Sequence, residues 1–198
     1  GFQIFSLAKL LNLNEDGVII RSHIDGSKLK LTPEISIAIQ RNLGSTIMMC
    51  LDECLKLPAS RQEVERSTDL TAKWARRCKE ASMKNSNVFK EQALFGIIQG
   101  GHELDLREKS MHQIVDIDFD GYAVGGLSVG ESKEEMYNVT HHITPRMPPE
   151  KPRYLMGVGD PVGLLEGIEA GIDMFDCVIP TRNARNGMLF TSHGKISI

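Results

Sequence analysis

The residues best suited to chemistry are carboxylates and a carboxamide set at the ends of apolar runs. Asp176 stands inside Phe175-Asp176-Cys177-Val178-Ile179-Pro180, where a charge is expensive unless pairing or function retains it. Thr181-Arg182-Asn183-Ala184-Arg185-Asn186-Gly187 follows, with two arginines three apart. They form either a solvated face or a cluster that clamps phosphate. Asp52 ends the run Ile47-Met48-Met49-Cys50-Leu51 and precedes Glu53. A helix cap or structural ion pair explains its position as readily as a site does. Gln99 can both donate and accept, as recognition of a base edge requires. It opens Gln99-Gly100-Gly101, and a second glycine pair, Gly125-Gly126, follows Gly121-Tyr122-Ala123-Val124. Paired glycines let backbone N–H groups approach a ligand, although plain turns are their commoner use. Met156-Gly157-Val158-Gly159-Asp160-Pro161 has the form of a phosphate-cradling loop opening a helix, a weak signal alone, and Met156 by itself reads as core.

Other reactive types show no pattern. His23, His102, His112, His141, His142 and His193 contain no H-x-x-x-H pair and read as structural or surface residues. Cys50, Cys54, Cys78 and Cys177 form no C-x-x-C or zinc spacing and suit a reducing cytoplasm. Cys78 and Cys177 read as small buried hydrophobes.

The elements that must position these residues alternate. Thr46–Leu51, Leu94–Ile98, Gly121–Val124, Tyr154–Val158 and Met174–Ile179 are short and nearly continuously apolar, as parallel strands covered on both faces are. Helices are expected between them: one starting at Thr32-Pro33-Glu34, then Arg61–Met83, Leu104–Val115, Ser132–His142, and Pro161–Ala170 with Gly171 as its C-cap. Gly17–Leu31 breaks the rhythm and reads as a β-hairpin insertion turning at Asp25-Gly26-Ser27. No repeat or linker divides residues 1–198, so one domain is expected.

Such alternation leaves a doubly wound sheet or a (β/α)8 barrel. Polar residues or glycines follow strand after strand, which favours the barrel; a doubly wound sheet concentrates its site at one switch point. A whole barrel takes about 250 residues. These 198 residues, apolar at Gly1-Phe2-Gln3-Ile4-Phe5 and again approaching Ile198, read as an α/β (β/α)8 TIM barrel incomplete at both ends. No apolar run approaches the roughly 18 residues of a membrane span, and no leader is legible. A net charge of −3 argues against a generally basic nucleic-acid binder, so any RNA contact must be local.

Taken together, Gly1-Phe2-Gln3, Asp52-Glu53-Cys54, Phe95-Gly96-Ile97-Ile98-Gln99-Gly100-Gly101, Gly125-Gly126-Leu127-Ser128-Val129-Gly130-Glu131, Tyr154-Leu155-Met156-Gly157-Val158-Gly159 and Phe175-Asp176-Cys177-Val178-Ile179-Pro180-Thr181-Arg182 resemble the bacterial tRNA-guanine transglycosylases, in family order across the chain. The resemblance implies a (β/α)8 barrel enzyme, a pentosyltransferase. It would exchange guanine at the tRNA wobble position for 7-aminomethyl-7-deazaguanine (preQ1), in queuosine biosynthesis. Asp176 would attack ribose C1′ to give a covalent ribosyl-enzyme, following retaining-glycosidase logic. Asp52 would accept from guanine N1–H and N2–H; Gln99 and the Gly126 N–H would donate to O6. Phe2, beside Gly1, and Met156 would sandwich the flipped base. The Leu127 carbonyl would accept from the aminomethyl group, with Glu131 supporting that peptide. Cys54 and Val129 match the branch whose pocket takes preQ1 rather than queuine. Gly157, Val158, Gly159, Asp160, Pro161, Val162 and Gly163, with Thr181, Arg182, Asn183, Ala184 and Arg185, match RNA-contacting segments.

Two features of the family are missing from the sequence. Its second catalytic Asp lies in a D-S-G-G-[FY] phrase of which only Gly1-Phe2 is present. Its structural zinc site, a C-x-C-x-x-C with a later His, falls beyond Ile198, so no metal ligand is expected here. The family is commonly homodimeric and cytoplasmic, with no membrane association. Two other readings compete: a truncated or paralogous subunit that binds tRNA without catalysis, and an unrelated barrel enzyme holding a phosphorylated metabolite at Gly157–Gly159.

Overall fold

The computed structural model describes the backbone of residues 9–84 and 92–198, with side chains from residue 12 onward in that range. The expected strand-like start at Gly1–Phe5 lies outside the described residues. An antiparallel sheet comes first: β1 (Lys9–Asn14), β2 (Gly17–Arg21) and β3 (Lys28–Leu31), in that order. Val18 pairs with Leu31 and Arg21 with Lys28, so β2 and β3 run antiparallel through the segment where a hairpin was expected, with β1 added on the other side of β2.

Five parallel strands then alternate with helices. The series runs α1 (Pro33–Asn42), β4 (Ile47–Met49), α2 (Arg61–Lys84), β5 (Ala93–Ile98), α3 (Leu104–Val115), β6 (Gly121–Val124), α4 (Lys133–Ile143), β7 (Arg153–Leu155), α5 (Pro161–Ala170) and β8 (Met174–Phe175). Their spatial order is β4-β5-β6-β7-β8, each strand beside its sequence neighbour. A doubly wound sheet reverses its order at a switch point, whereas unbroken sequential order is that of a barrel wall. The α/β architecture fits part of a (β/α)8 barrel.

Helix ends follow local chemistry. Thr32 accepts from the Ile35 N–H with Pro33 in the first turn of α1, and Ser132 forms a reciprocal capping box with Glu135 at the start of α4. Helix α5 closes on Gly171 in the left-handed conformation. The core lies between sheet and helices, with Trp74, Phe119, Tyr122, Ile98, Val124 and Leu155 all nearly inaccessible. Trp74 also donates its indole N–H to the Glu15 carbonyl at 2.9 Å, tying α2 to the antiparallel sheet.

Three expected strands are shorter than their apolar runs. Thr46–Leu51 contracts to Ile47–Met49 and Tyr154–Val158 to Arg153–Leu155, because a strand persists only while its neighbour offers partners, and β6 ends at Val124 opposite Leu155. Met174–Ile179 contracts to Met174–Phe175, so Asp176 stands just past β8 rather than within it. Pro180, lacking an N–H and with φ preset, sits instead in the first turn of a short helix, α6 (Ile179–Arg185). The chain ends in the hairpin β9 (Met188–Thr191) and β10 (Gly194–Ser197).

Candidate active site at the strand mouths

Parallel strands deliver their C-terminal ends to one edge of the sheet. Asp52 lies just past β4, Gln99 directly after β5, Gly125-Gly126 after β6, Met156 after β7 and Asp176 after β8. In a barrel that edge is the one that carries chemistry.

Two buried polar side chains meet on the β4–β5 side. Gln99 Nε2 donates to Asp52 Oδ2 at 2.7 Å, with the two residues 4% and 8% exposed. Ser110 of α3 accepts from the Gln99 backbone N–H at 3.0 Å. Gly126 packs against the amide: its φ is +65°, and a Cβ there would lie 2.3 Å from Gln99 Oε1. Glycine is therefore required twice over, by conformation and by space. A small cavity reaches Gln99 and Gly126 between Leu55, Leu57 and Val64. Cys54 is buried nearby, and burial, reinforced by the Asp52 charge, pushes its thiol up to about 11.

Beneath these loops lies Arg107, on the buried face of α3 with Ser110, Met111 and Ile114. Its guanidinium donates to the carbonyls of Gly101 (2.7 Å), Ile98 (3.0 Å) and Gly125 (2.7 Å), with a longer contact to Gly126 (3.5 Å). Burial pulls its pKa down to about 10, opposed by the Glu131 charge, so it stays charged at neutral pH. Leu127 is buried. The Glu131 carboxylate accepts from the N–H groups of Ser128 and, at 3.0 Å, Val129. Fixing the Ser128 N–H fixes the plane of the Leu127–Ser128 peptide, and so the direction of the Leu127 carbonyl.

The β7–β8 side is open. Asp176 is exposed, and its Oδ1 accepts from the Tyr154 hydroxyl at 2.6 Å and the Gly157 N–H at 2.9 Å. Burial, then the bond to Asp176, holds the Tyr154 phenol well above its ordinary value, so it remains a donor across the physiological range. Cys177 packs on Gly159, where a Cβ would lie 1.9 Å from its Sγ. Asp160 caps α5 by accepting from the Gly163 N–H at 3.3 Å, and pairs with Lys133 at 2.7 Å. An anion approaching that helix end would therefore meet a carboxylate already paired with a lysine. Thr181, Arg182, Ala184 and Arg185 are exposed on α6, with Asn183 half-buried.

The structure thus brings Asp52, Gln99, Gly126 and Cys54 together, and sets Asp176 beside Gly157 and, through Cys177, Gly159. Met156 is half-buried between the two groups in sequence. Gly1 and Phe2 lie outside the described residues. Sequence reasoning passed over Tyr154, Ser110 and Arg107. Tyr154 looked like any strand aromatic. For Arg107 a signal existed: a charged residue in register with Met111 and Ile114 on the apolar face of a helix. Among the described residues no group of three or more His, Cys, Asp or Glu could hold a metal ion, and no helix is long and apolar enough to cross a membrane.

The family model for queuine tRNA-ribosyltransferase matches residues 1–198. Among curated relatives, the queuine tRNA-ribosyltransferase of Lawsonia intracellularis is 57% identical over the whole chain, which covers 53% of that protein. Those of Thermodesulfovibrio yellowstonii and Solidesulfovibrio magneticus are 58% and 56% identical, with the chain covering 51% and 52% of them. The chain spans about half the length of the curated relatives it matches. By sequence, strand order and the placement of its polar residues, this chain belongs to the queuine tRNA-ribosyltransferase family.

Proposed function

We propose that the protein exchanges guanine at the wobble position of tRNA for preQ1 through a covalent ribosyl-enzyme. The observation that carries this reading is Asp176, exposed at a strand mouth and held by Tyr154 and Gly157, on the same sheet edge as the buried Asp52–Gln99 pair. The Asp176 carboxylate attacks ribose C1′, the C1′–N9 bond breaks, and guanine leaves after N9 gains a proton. The incoming base then attacks C1′ through N9, loses its N9 proton, and releases the carboxylate; two displacements retain the stereochemistry. In the family the proton for the leaving base falls to the aspartate of the D-S-G-G-[FY] phrase, of which this sequence carries only Gly1-Phe2.

Base recognition follows from donor and acceptor count. A carboxylate at Asp52 accepts from guanine N1–H and N2–H together. The Gln99 amide has two N–H groups, one bonded to Asp52, and the other with the Gly126 N–H serves O6. The Leu127 carbonyl, its plane set by Glu131, accepts from the aminomethyl group of preQ1. Met156 and Phe2 stack on the base, Cys54 and Val129 size the pocket, and 157–163 with Thr181–Arg185 contact RNA.

The same reading assigns a homodimer working in the cytoplasm, and a structural zinc. Among the described residues no group of His, Cys, Asp or Glu fits a zinc site, and no step proposed here passes through the metal. The test is incorporation of labelled guanine by the full-length protein into a tRNA bearing a wobble guanine, followed by competition with preQ1. Tight binding of that tRNA without exchange would overturn the enzyme reading in favour of a binding subunit.

A further inference from the structure

Helix α3 buries a full positive charge behind the loops that carry Gln99 and Gly126. Arg107 is 0% exposed, and taking a guanidinium out of water costs several kcal/mol before compensation. An apolar side chain would fill the same space without that cost. The compensation is specific: the carbonyls of Ile98, the last residue of β5, of Gly101 in the loop that follows, and of Gly125 and Gly126 after β6 converge on this one planar group.

The consequence lies on the other side of each peptide. The Gly125–Gly126 peptide is trans, so its carbonyl and N–H point in opposite directions. With Gly125 O held 2.7 Å from Arg107 Nη1, the Gly126 N–H is turned away from the guanidinium. The Ile98–Gln99 peptide is fixed at both ends, its carbonyl by Arg107 and its N–H by Ser110, which sets where the Gln99 side chain departs. Gly125 N–H also donates to Ile98 O at 3.0 Å, so the same guanidinium spans a junction between the loops. A cation at the carbonyl end of a peptide polarises it and strengthens its N–H as a donor.

We infer that Arg107 is a positioning residue for the base site, locking the peptide planes after β5 and β6 so that the Gln99 amide and the Gly126 N–H face the acceptor oxygen of a bound purine together. This rests on the proposed purine-exchange reading. Its chemistry is recognition of one oxygen, so it predicts a selective defect. Guanine and 6-thioguanine share the N1–H and N2–H donors and differ in the acceptor, sulfur being much the weaker one.

The experiment uses the full-length protein with Arg107→Lys, Arg107→Met and Ser110→Ala. Lysine keeps the charge but donates from a single nitrogen and cannot span both loops. Arg107→Lys is expected to raise the KM for guanine about 10- to 100-fold, the loss of one or two well-placed hydrogen bonds. It should also shrink the preference for guanine over 6-thioguanine, with the KM for tRNA little changed. Ser110→Ala should move the same two quantities less. Should Arg107→Met fail to fold, the other two variants carry the test. A folded Arg107→Lys protein with wild-type guanine KM and undiminished preference overturns the inference, even if its melting temperature falls. A wild-type protein that exchanges no guanine defeats the functional reading instead, and the two failures are read in different samples.

Discussion

Asp52 and Gln99 are closed off from solvent and bond each other at 2.7 Å, while Asp176, four strands along the same sheet, is exposed and held by a phenol and a backbone N–H. The supports differ as much as the residues. Behind Gln99 stands a fully buried arginine bonded to loop carbonyls; beside Asp176 runs α6, exposed for most of its length. A desolvated, fully bonded site discriminates, because a wrong partner leaves its polar groups unpaired. A nucleophile serving a sugar inside a large nucleic acid must remain reachable. Under the proposed exchange, the closed half of the edge would serve selection and the open half access.

The sharpest way to break that division is Asp176→Asn in the full-length protein. Labelled-guanine exchange should fall by on the order of 10⁴-fold or more, the scale of removing a nucleophile, and no RNA adduct should survive a denaturing gel. Guanine binding measured at equilibrium should be unaffected. Undiminished exchange would remove Asp176 from the nucleophile's role. The complementary change, Asp52→Asn, puts an amide where a carboxylate faces donors. It should raise the guanine KM roughly 10- to 100-fold while leaving the adduct formed with tRNA alone chemically accessible. If both substitutions act on the same parameter, the two halves are not distinct.

A smaller perturbation separates access from selection by packing. Gly159 leaves no room for a Cβ, which would lie 1.9 Å from Cys177 Sγ and 2.7 Å from its Cβ. Gly159→Ala should therefore displace Cys177, the neighbour of Asp176, at a cost of about 1–3 kcal/mol, read as a lowered melting temperature. Exchange should slow several-fold in kcat with the guanine KM unchanged. A shift in KM alone would mean that the β7–β8 loops also shape the base pocket.

The two halves were also unequally legible. Continuous apolar runs announced buried parallel strands, and the polar residues or glycines that follow them lie along one edge of the sheet, as the strand pattern implied. Capping chemistry placed α5 and its Gly171 to the residue. What misled was the length of apolar runs: Cys177-Val178-Ile179 continues the pattern of β8, yet β8 stops at Phe175 where its pairing with β7 ends, and Pro180 starts α6. Hydrophobicity alone does not mark a strand: Val178 continues the apolar run yet is exposed. Arg107 and Tyr154 escaped for a different reason. Their roles lie in which carbonyls or carboxylate they reach, contacts between elements far apart in sequence that no local pattern encodes.

The last and smallest test concerns the scaffold behind the closed half. Arg77 of α2 grips Glu34 of α1 through two hydrogen bonds, at 2.7 and 2.8 Å, bracing the helices that flank β4. That contact holds the Glu34 carboxyl at about 2, below its usual 4.5. A carboxyl whose pKa is depressed by folding adds stability that is complete above about 4.5 and is lost as pH falls toward and through about 2. Glu34→Gln should thus lower stability at neutral pH and flatten part of the acid limb between those values, the two proteins converging once the wild type's Glu34 carboxyl is protonated in folded and unfolded states alike. Because Glu34 is about half exposed, solvent screening keeps the difference under about 1 kcal/mol. Chemical denaturation of both proteins from pH 7 to pH 3 measures it. A pH-independent difference would mean that Glu34 braces α1 by shape rather than charge, and that the rigidity of the base-selecting half comes from its buried bonds alone.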